Sequence, residues 1–289
     1  MTTADHATAL DPRFYPYRAD IAADWLAGHV HAARFVPGQM TQVRVGCTAL
    51  RRLADGRASR DSDLLWGEVF IVYDRQGDWS WGQNQTDGYV GYVPSSALLP
   101  LQEPGLASHE VCALRTPLLP QADLKSAAMD YLHLSSRVQV IERQGDYLEI
   151  AAGGWLYAPH LVPLTAIVSD HVATARRFME TPYLWGGRSS FGLDCSALVQ
   201  LSLARAGRAV ARDSDIQAKS IGTPVDEGVA AASVGDLLFC DGHVGLLSAP
   251  GMLLHANAYH MAVAEEPLPQ FIDRIAARGL EITAVRRPQ

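Results

Sequence analysis

The chain has 289 residues, and its 24 Lys and Arg against 31 Asp and Glu give a net charge of −7. This length exceeds one average domain, and the acidic balance argues against nucleic acid as a partner. No window of 18 residues is apolar and uncharged, so we expect no membrane span and no membrane partner.

The first residues do not have a basic stretch followed by an apolar one, which predicts a cytoplasmic protein without a secretory leader. The four cysteines are scattered and do not suggest a disulfide framework. The motifs that hold metals or nucleotides are absent from the sequence, so we expect no cofactor.

Residues 1–30 are predicted to form an N-terminal extension with a short helix over residues 21–26. Residues 31–100 then contain short strand-like runs that are separated by glycine turns, the pattern of a small β-barrel. The runs are residues 42–45, 68–73, 79–83 and 89–93.

Residues 101–165 repeat this pattern. Each copy contains a strand, then Arg-Gln-Gly-Asp, then an aromatic residue, at residues 75–79 and 143–147. Such an internal repeat predicts two copies of one module. The strand-like runs of the second copy are residues 111–115, 137–142, 147–151 and 155–157.

Residues 166–289 change character, because helical periodicity precedes a series of strands. Helices are predicted at 168–180, 195–206 and 268–278. Strands are predicted at 237–239, 243–247, 253–256, 261–263 and 281–285. This order is typical of an α+β domain.

Cys195 is the candidate nucleophile of this last domain. Asp194-Cys195-Ser196 ends a glycine-rich, aromatic loop and opens the helix at 195–206. The unpaired backbone N–H groups and the dipole of a first helical turn favour a thiolate. The other three cysteines are interpreted as small packed side chains.

His243 and His255 are the candidate base and its partner. They lie on two short strand-like runs around the turn Ala249-Pro250-Gly251, which predicts a hairpin. A register that sets residue 243 against 255 or 257 places both rings on one face, whereas a slip of one residue separates them. In the first case His243 can deprotonate Cys195 while His255 holds the other nitrogen of His243.

The last 120 or so residues resemble an NlpC-type cell-wall peptidase, a papain-like cysteine peptidase of bacteria. The matching residues are Tyr183, Trp185-Gly186-Gly187, Phe191-Gly192, Asp194-Cys195-Ser196, Gly235-Asp236-Leu237, Gly242-His243-Val244-Gly245 and His255.

This resemblance implies roles for four residues. Cys195 is then the nucleophile, His243 the base, His255 the third polar residue, and Tyr183 the tyrosine that lines the oxyanion site. A packed aromatic beside a proline turn is the alternative for Tyr183. The two modules resemble bacterial SH3-like domains, so the implied architecture is a papain-like domain after two small SH3-like β-barrels.

The branch with SH3-like domains implies a narrow specificity. Its enzymes cut the γ-D-glutamyl–diamino acid bond of peptidoglycan stem peptides whose N-terminal L-Ala amine is free, here with a role in murein recycling. Asp194 matches the amine-binding acid of the family, and an N-cap role is its alternative. Glu68 and Tyr89 are candidates for the rest of this pocket, with a solvated carboxylate and a barrel-closing aromatic as their alternatives. Tyr92 stands where the family has Trp, which keeps Tyr92 open beside Tyr89.

The triplet Arg212-Asp213-Ser214 matches a substrate-contacting loop, and Ser196 is grouped with it. Arg212 could pair a substrate carboxylate at two points, or form a surface salt bridge. The sequence leaves open the preference between diaminopimelate and Lys, and the oligomeric state. Two other functions also stay open: an amidase or acyltransferase on the same fold, and a wall-binding protein without catalysis.

Overall fold

The computed structural model describes residues 10–101 and 107–289. The first nine residues of the predicted extension and residues 102–106, at the start of the predicted second module, therefore lie outside the described residues. In these two ranges no helix is long and apolar enough to cross a membrane. The domain boundaries near residues 30, 100 and 165 stay predictions.

The N-terminal segment packs on the first group of strands. The prediction of a helix over residues 21–26 is wrong: this stretch forms strand β1 (Ala22–Ala23) and a 3-10 turn (Asp24–Leu26). β1 pairs in parallel with β2 (Phe35–Val36). Six residues are too few to hold a helix without packing, and Leu26 is instead buried against aromatic side chains of the neighbouring sheet.

The first β unit is one seven-stranded sheet in the order β5-β4-β8-β7-β6-β3-β9. Its strands are β3 (Gln39–Val43), β4 (Cys47–Arg51), β5 (Arg60–Leu65), β6 (Val69–Gln76), β7 (Trp79–Asn84), β8 (Val90–Pro94) and β9 (Leu98–Pro100). The four predicted strands are confirmed to within three residues at either end. The sequence did not predict β5, because Arg60-Asp61-Ser62-Asp63 is polar throughout, yet this strand contacts the C-terminal part of the chain.

The second β unit consists of eight short strands around a separate apolar core. They are β10 (His109–Val111), β11 (Arg115–Leu118), β12 (Asp130–His133), β13 (Arg137–Val138), β14 (Val140–Gln144), β15 (Tyr147–Ile150), β16 (Trp155–Tyr157) and β17 (Leu161–Pro163). They form three small sheets, with orders β13-β10-β17, β11-β12 and β14-β15-β16.

The C-terminal unit places helices before a six-stranded sheet of order β20-β25-β21-β22-β23-β24, as the α+β prediction requires. Its helices are α1 (His171–Arg176), α2 (Cys195–Arg205), α3 (Ser214–Ser220) and α4 (Leu268–Ala276). Its strands are β18 (Arg188–Ser189), β19 (Gly192–Leu193), β20 (Thr223–Pro224), β21 (Leu237–Cys240), β22 (His243–Ala249), β23 (Met252–Asn257), β24 (Ala262–Pro267) and β25 (Ala284–Arg287).

Two helices of this unit differ from the prediction. α1 is shorter than 168–180, because the Asp170 side chain caps it by accepting from the Ala173 N–H at 2.9 Å, and Glu180 has a left-handed φ of 67°. The sequence did not predict α3, which begins at Ser214, the residue that follows Arg212 and Asp213.

The predicted hairpin is formed by β22 and β23. Leu246 lies opposite Leu254 and Leu247 opposite Leu253, and this register extended to the start of β22 sets His243 against Asn257. The two histidines are therefore on one face of the sheet, where Phe271 of α4 packs against both rings, while α2 packs on the opposite face of the same strands. The parity prediction is confirmed.

Candidate active site

Cys195 is the first residue of α2, as predicted. Asp194 caps the helix, with its Oδ1 accepting from the Ala197 N–H at 2.9 Å. The glycine-rich loop before Asp194 packs closely on β5 of the first β unit. Gly186 in this loop has a φ of 70°, and a Cβ atom there would lie 2.5 Å from the Arg60 carbonyl oxygen. Only glycine permits this approach, so the first β unit helps to shape the loop that carries the nucleophile.

The start of α2 favours a Cys195 thiolate, but the burial of the sulfur opposes it. Burial raises the pKa of Cys195 to about 12, and the Asp194 charge adds to the rise. Backbone N–H groups of Val244 and Ser196 and the Arg212 charge act in the opposite direction but do not outweigh burial. Cys195 is only 6% exposed, so burial favours its thiol form, whose proton has to leave when the sulfur attacks.

His243 is held by His255. The Nε2 atom of His243 lies 2.7 Å from Nδ1 of His255. His243 therefore has Nδ1 left for the thiol. Burial lowers the pKa of His243 to about 3, with the neighbouring His255 as the second cause. The imidazole is thus neutral at neutral pH and can accept a proton.

Two residues that the sequence analysis missed, Glu266 and Arg274, continue the series of hydrogen bonds that begins at His243 and His255. The Nε2 atom of His255 lies 2.8 Å from Oε1 of Glu266, and Arg274 binds both oxygens of that carboxylate. Glu266 escaped notice because the strand at 261–263 was predicted too short. β24 runs to Pro267 and pairs with the whole of β23. A longer predicted strand would therefore have placed Glu266 on the strand next to His255.

His255, His260 and Glu266 could converge on a metal ion, since their ligand atoms lie within 4.8 Å of one another. The hydrogen bonds argue against this use. Both ring nitrogens of His255 are engaged, and a guanidinium already neutralises Glu266. The cluster fits a hydrogen-bond chain better than a cation site.

A cavity of about 320 Å³ opens onto Cys195. It lies between the N-terminal segment, the first β unit and the C-terminal unit. Of the residues singled out from the sequence, it brings together Tyr183, Asp194, Cys195, Ser196, Tyr89, Asp213, Ser214 and the exposed Trp185.

Tyr183 stands beside the nucleophile. Its pKa is raised by burial, and the Cys195 and Asp194 charges act in the same direction. The phenol therefore keeps its proton and can donate a hydrogen bond in the cavity. Its backbone N–H donates to the Met261 carbonyl at 3.0 Å, which ties the loop to the end of the sheet.

Tyr89 reaches the cavity from the first β unit. Its hydroxyl donates to Oδ2 of Asp213 at 3.1 Å, and Arg13 of the N-terminal segment pairs with the same oxygen at 2.7 Å. Phe14 packs edge-on against the Tyr89 ring. Tyr92 contacts Arg18 through its hydroxyl, so Tyr89 is the aromatic that faces the cavity.

The candidate role of Glu68 needs correction. Glu68 does not line the cavity, and it is not a solvated carboxylate either. It is buried, 2.5 Å from Nη2 of Arg188, and accepts from the Leu65 N–H at 3.0 Å. A carboxylate so engaged joins the first β unit to the loop before Cys195 and is not free to bind an amine.

The candidate role of Arg212 needs a similar correction. Its side chain is 1% exposed, and Nη1 and Nη2 donate to the two oxygens of Asp194 at 2.9 and 2.7 Å. Its Nε donates to Ser62 Oγ of β5 at 2.9 Å. The fork that was expected to bind a substrate carboxylate is occupied, and Asp194 is correspondingly satisfied as a cap and ion-pair partner.

Two segments match known families. Residues 180–274 match the NlpC/P60 family, and residues 50–98 match the bacterial dipeptidyl-peptidase Sh3 domain. The first match covers the loop of Cys195, both histidines and Glu266. The second covers most of the first β unit, including Tyr89.

Two similar proteins carry the name gamma-D-glutamyl-L-lysine dipeptidyl-peptidase. The one from Bacillus cereus is 27% identical over 75% of this chain and 73% of its own length. The one from Bacillus subtilis is 28% identical over 68% of this chain and 71% of its own length.

Among solved structures, an NlpC/P60 family protein from Bacillus cereus superposes with a TM-score of 0.73 at 20% identity. The superposition covers 86% of this chain and 99% of that one. At this identity the likeness shows the fold, which extends over all three units of the chain.

Proposed function

We propose that this peptidase cleaves the γ-D-glutamyl–diamino acid bond of peptidoglycan stem peptides with a free N-terminal L-Ala. The proposal is supported by the match of one segment to a bacterial dipeptidyl-peptidase SH3 domain and of another to the NlpC/P60 family. The diamino acid is diaminopimelate or Lys, and the reaction belongs to murein recycling in the cytoplasm. The observation that carries this proposal is the cavity at Cys195, which residues of the N-terminal segment and the first β unit help to line.

The chemistry follows from the arrangement of the residues. His243 accepts the thiol proton at Nδ1 as the Cys195 sulfur attacks the amide carbon. The Tyr183 hydroxyl and the Cys195 backbone N–H stabilise the developing oxyanion, where one lost donor typically costs about 10²–10³ in rate. His243 then gives the proton to the leaving amine, and water hydrolyses the thioester.

The part of the cavity wall around Asp213 supplies the selectivity for a free amine. Asp213 is the carboxylate that we assign to the ammonium group. Within the described residues its Oδ2 atom accepts from Tyr89 and Arg13, while Oδ1 has no hydrogen-bond partner. Ser196 and Ser214 offer hydroxyls along the same wall. An acylated amine brings no charge to offset the desolvation of Asp213, so it binds less well.

We also propose that the second β unit is another SH3-like domain. The two Arg-Gln-Gly-Asp repeats form equivalent hairpins, with Gln76 opposite Trp79 in one and Gln144 opposite Tyr147 in the other. The first loop glycine has a φ of 55° and the second 58°. The same turn at the same place in both units supports a duplicated module.

Mass spectrometry of cleavage products tests the proposed reaction. The substrates are L-Ala-γ-D-Glu-diaminopimelate, its Lys counterpart and their N-acetylated forms. We expect release of the diamino acid from the free peptides only, and none by Cys195→Ala or His243→Ala. Cys112→Ala is a matched control, since this cysteine lies in the second β unit.

Equal cleavage of the N-acetylated peptides would refute the amine pocket. Full activity of Cys195→Ala would refute the thiol mechanism. Adding a primary amine separates hydrolysis from acyl transfer, because an acyltransferase would yield the amide of the added amine in place of the free acid.

A further inference from the structure

We propose that Glu266, held by Arg274, is a positioning residue that fixes the tautomers of His255 and His243, so that a lone pair of His243 is available to the Cys195 thiol. The inference rests on the proposed function only in taking His243 as the base. It concerns two residues that lie beyond the nucleophile, base and third polar residue.

Three consecutive hydrogen-bonded contacts connect the groups. Nε2 of His243 lies 2.7 Å from Nδ1 of His255, and Nε2 of His255 lies 2.8 Å from Oε1 of Glu266. Arg274 then donates to both carboxylate oxygens, with Nη1 2.6 Å from Oε2. The nucleophile is near the other end of these contacts, since the backbone N–H of Val244, next to His243, is one of the groups that act to lower the pKa of the Cys195 thiol.

The direction of each hydrogen bond follows from Glu266. An ionised carboxylate only accepts hydrogen bonds. The Arg274 guanidinium, whose hydrogen bond is the main favourable influence, holds the pKa of Glu266 below its usual range. Since Glu266 must accept, Nε2 of His255 carries the hydrogen.

The tautomer of His255 in turn determines the tautomer of His243, the base. A neutral His255 with its hydrogen on Nε2 has a lone pair on Nδ1, so it accepts from the Nε2–H of His243. The lone pair of a neutral His243 is then on Nδ1, which can take the thiol proton. The inverted tautomer would put a hydrogen on Nδ1, and such a ring is unable to act as the base.

Both rings are neutral, as this reasoning requires. Burial lowers the pKa of His255 to about 4, although the Glu266 carboxylate acts in the opposite direction. The charged or titratable groups that act on the two rings are Glu266 on β24, Arg274 on α4 and His260 after β23. Phe271 packs against both imidazoles, with ring centroids 5.8 and 5.2 Å away.

The first test replaces Glu266→Gln, which keeps the shape of the side chain and adds an N–H donor. The Gln amide can donate to Nε2 of His255 and so favour the inverted tautomers. We expect kcat on the peptide cleaved by the wild type to fall about tenfold or more, because removing the acceptor that orients a catalytic histidine has a large effect even when the geometry is kept. KM should not change, since Glu266 does not line the cavity at Cys195.

The matched control is Glu265→Gln. This neighbour lies on the same strand but contacts Arg176 and Ser248 on the other side of the sheet. We expect its kcat to match the wild type. An unchanged kcat in Glu266→Gln, or an equal loss in Glu265→Gln, would overturn the proposal.

The second test needs no variant and no substrate. Nitrogen-15 NMR of the imidazoles distinguishes a ring that is protonated on Nε2 from one protonated on Nδ1. We expect both His243 and His255 of the wild type in the Nε2–H form at pH 7. A Nδ1–H signal from either ring would refute this inference alone, and the Cys195→Ala assay tests the proposed function separately.

Discussion

Arg212 and Asp194 form a two-point ion pair directly beside the nucleophile, with Nη1 2.9 Å from Oδ1 and Nη2 2.7 Å from Oδ2. The pair is buried, and Arg212 also donates to Ser62 in β5. The residue before Cys195 is thus oriented by an arginine that is itself anchored in the first β unit. This links the position of the nucleophile to the packing of two domains.

Replacing Arg212→Met should destabilise the protein. The change leaves Asp194 buried without its cation, and breaking a buried pair from one side typically costs about 3–5 kcal/mol. Urea unfolding monitored by circular dichroism measures the loss. Arg278→Met is the control, because Arg278 is exposed. A stable Arg212→Met enzyme with a raised KM would instead mean that the guanidinium contacts substrate.

Tyr89→Phe should weaken substrate binding and preserve the chemistry. The hydroxyl lost is the one that donates to Asp213 in the wall of the cavity. One neutral-to-charged hydrogen bond is worth about 1.5–3 kcal/mol, so we expect KM for the free peptide to rise about tenfold or more.

The kcat of Tyr89→Phe should stay near the wild-type value, because the Tyr89 hydroxyl bonds to Asp213 and not to Cys195 or His243. Tyr92→Phe is the matched control, since the Tyr92 hydroxyl contacts Arg18 outside the cavity. A larger KM effect in Tyr92→Phe than in Tyr89→Phe would contradict this assignment.

Local patterns predicted the parts of the site that depend on neighbours in the chain. Asp-Cys-Ser after a glycine-rich loop indicated the start of α2, and the even spacing of His243 and His255 indicated a common face. The turn between β6 and β7 was also predicted from its sequence. Its two-residue loop begins with Gly77, and this glycine adopts a left-handed φ. Each of these needs only a few consecutive residues.

Long-range charge pairing was not predictable in the same way. Glu68 and Arg188 are 120 residues apart, and neither position has a local feature that identifies its partner. A buried charge must be paired, but the sequence does not show which residues are buried. The burial of Cys195 was not predictable for the same reason, since helix position is local whereas burial depends on the whole fold.

Alkylation of Cys195 should therefore be slow at neutral pH. With a pKa raised to about 12, the thiol form dominates, and only the thiolate reacts with iodoacetamide. We expect inactivation at pH 7 to be more than about tenfold slower than alkylation of free cysteine, whose pKa is about 8.5, and to accelerate with pH up to at least pH 9. The Cys195→Ala protein supplies the background from the other cysteines.

The shape of this pH profile distinguishes the two possible resting states. A rate that stayed constant from pH 5 to pH 8 would reveal a thiolate–imidazolium pair and contradict the neutral pair described above. A rate that follows the thiolate fraction agrees with it.

The junction between the second β unit and the active-site loop should weaken in acid through His133. Its Nδ1 atom lies 3.0 Å from Ser190 Oγ, and its ring packs on Phe191 at 4.8 Å between centroids. Burial lowers the pKa of His133 to about 4, and the Arg115 charge adds to the fall. Between about pH 6.5 and 4 the unfolded chain binds a proton that the folded protein excludes, so the free energy of unfolding decreases as the pH falls through this range.

For one such histidine the decrease is about 3 kcal/mol, since one pKa unit corresponds to about 1.4 kcal/mol. Urea unfolding of the wild type and of His133→Gln at pH 7 and pH 4.5 measures it. We expect the wild type to lose about 2–3 kcal/mol more than the variant between these two pH values, while His31→Gln, at an exposed position, loses as much as the wild type. Equal losses in the wild type and His133→Gln would mean that the folded protein binds the His133 proton as readily as the unfolded chain, and the Ser190 contact at pH 4.5 would then have to be a bond donated by an imidazolium.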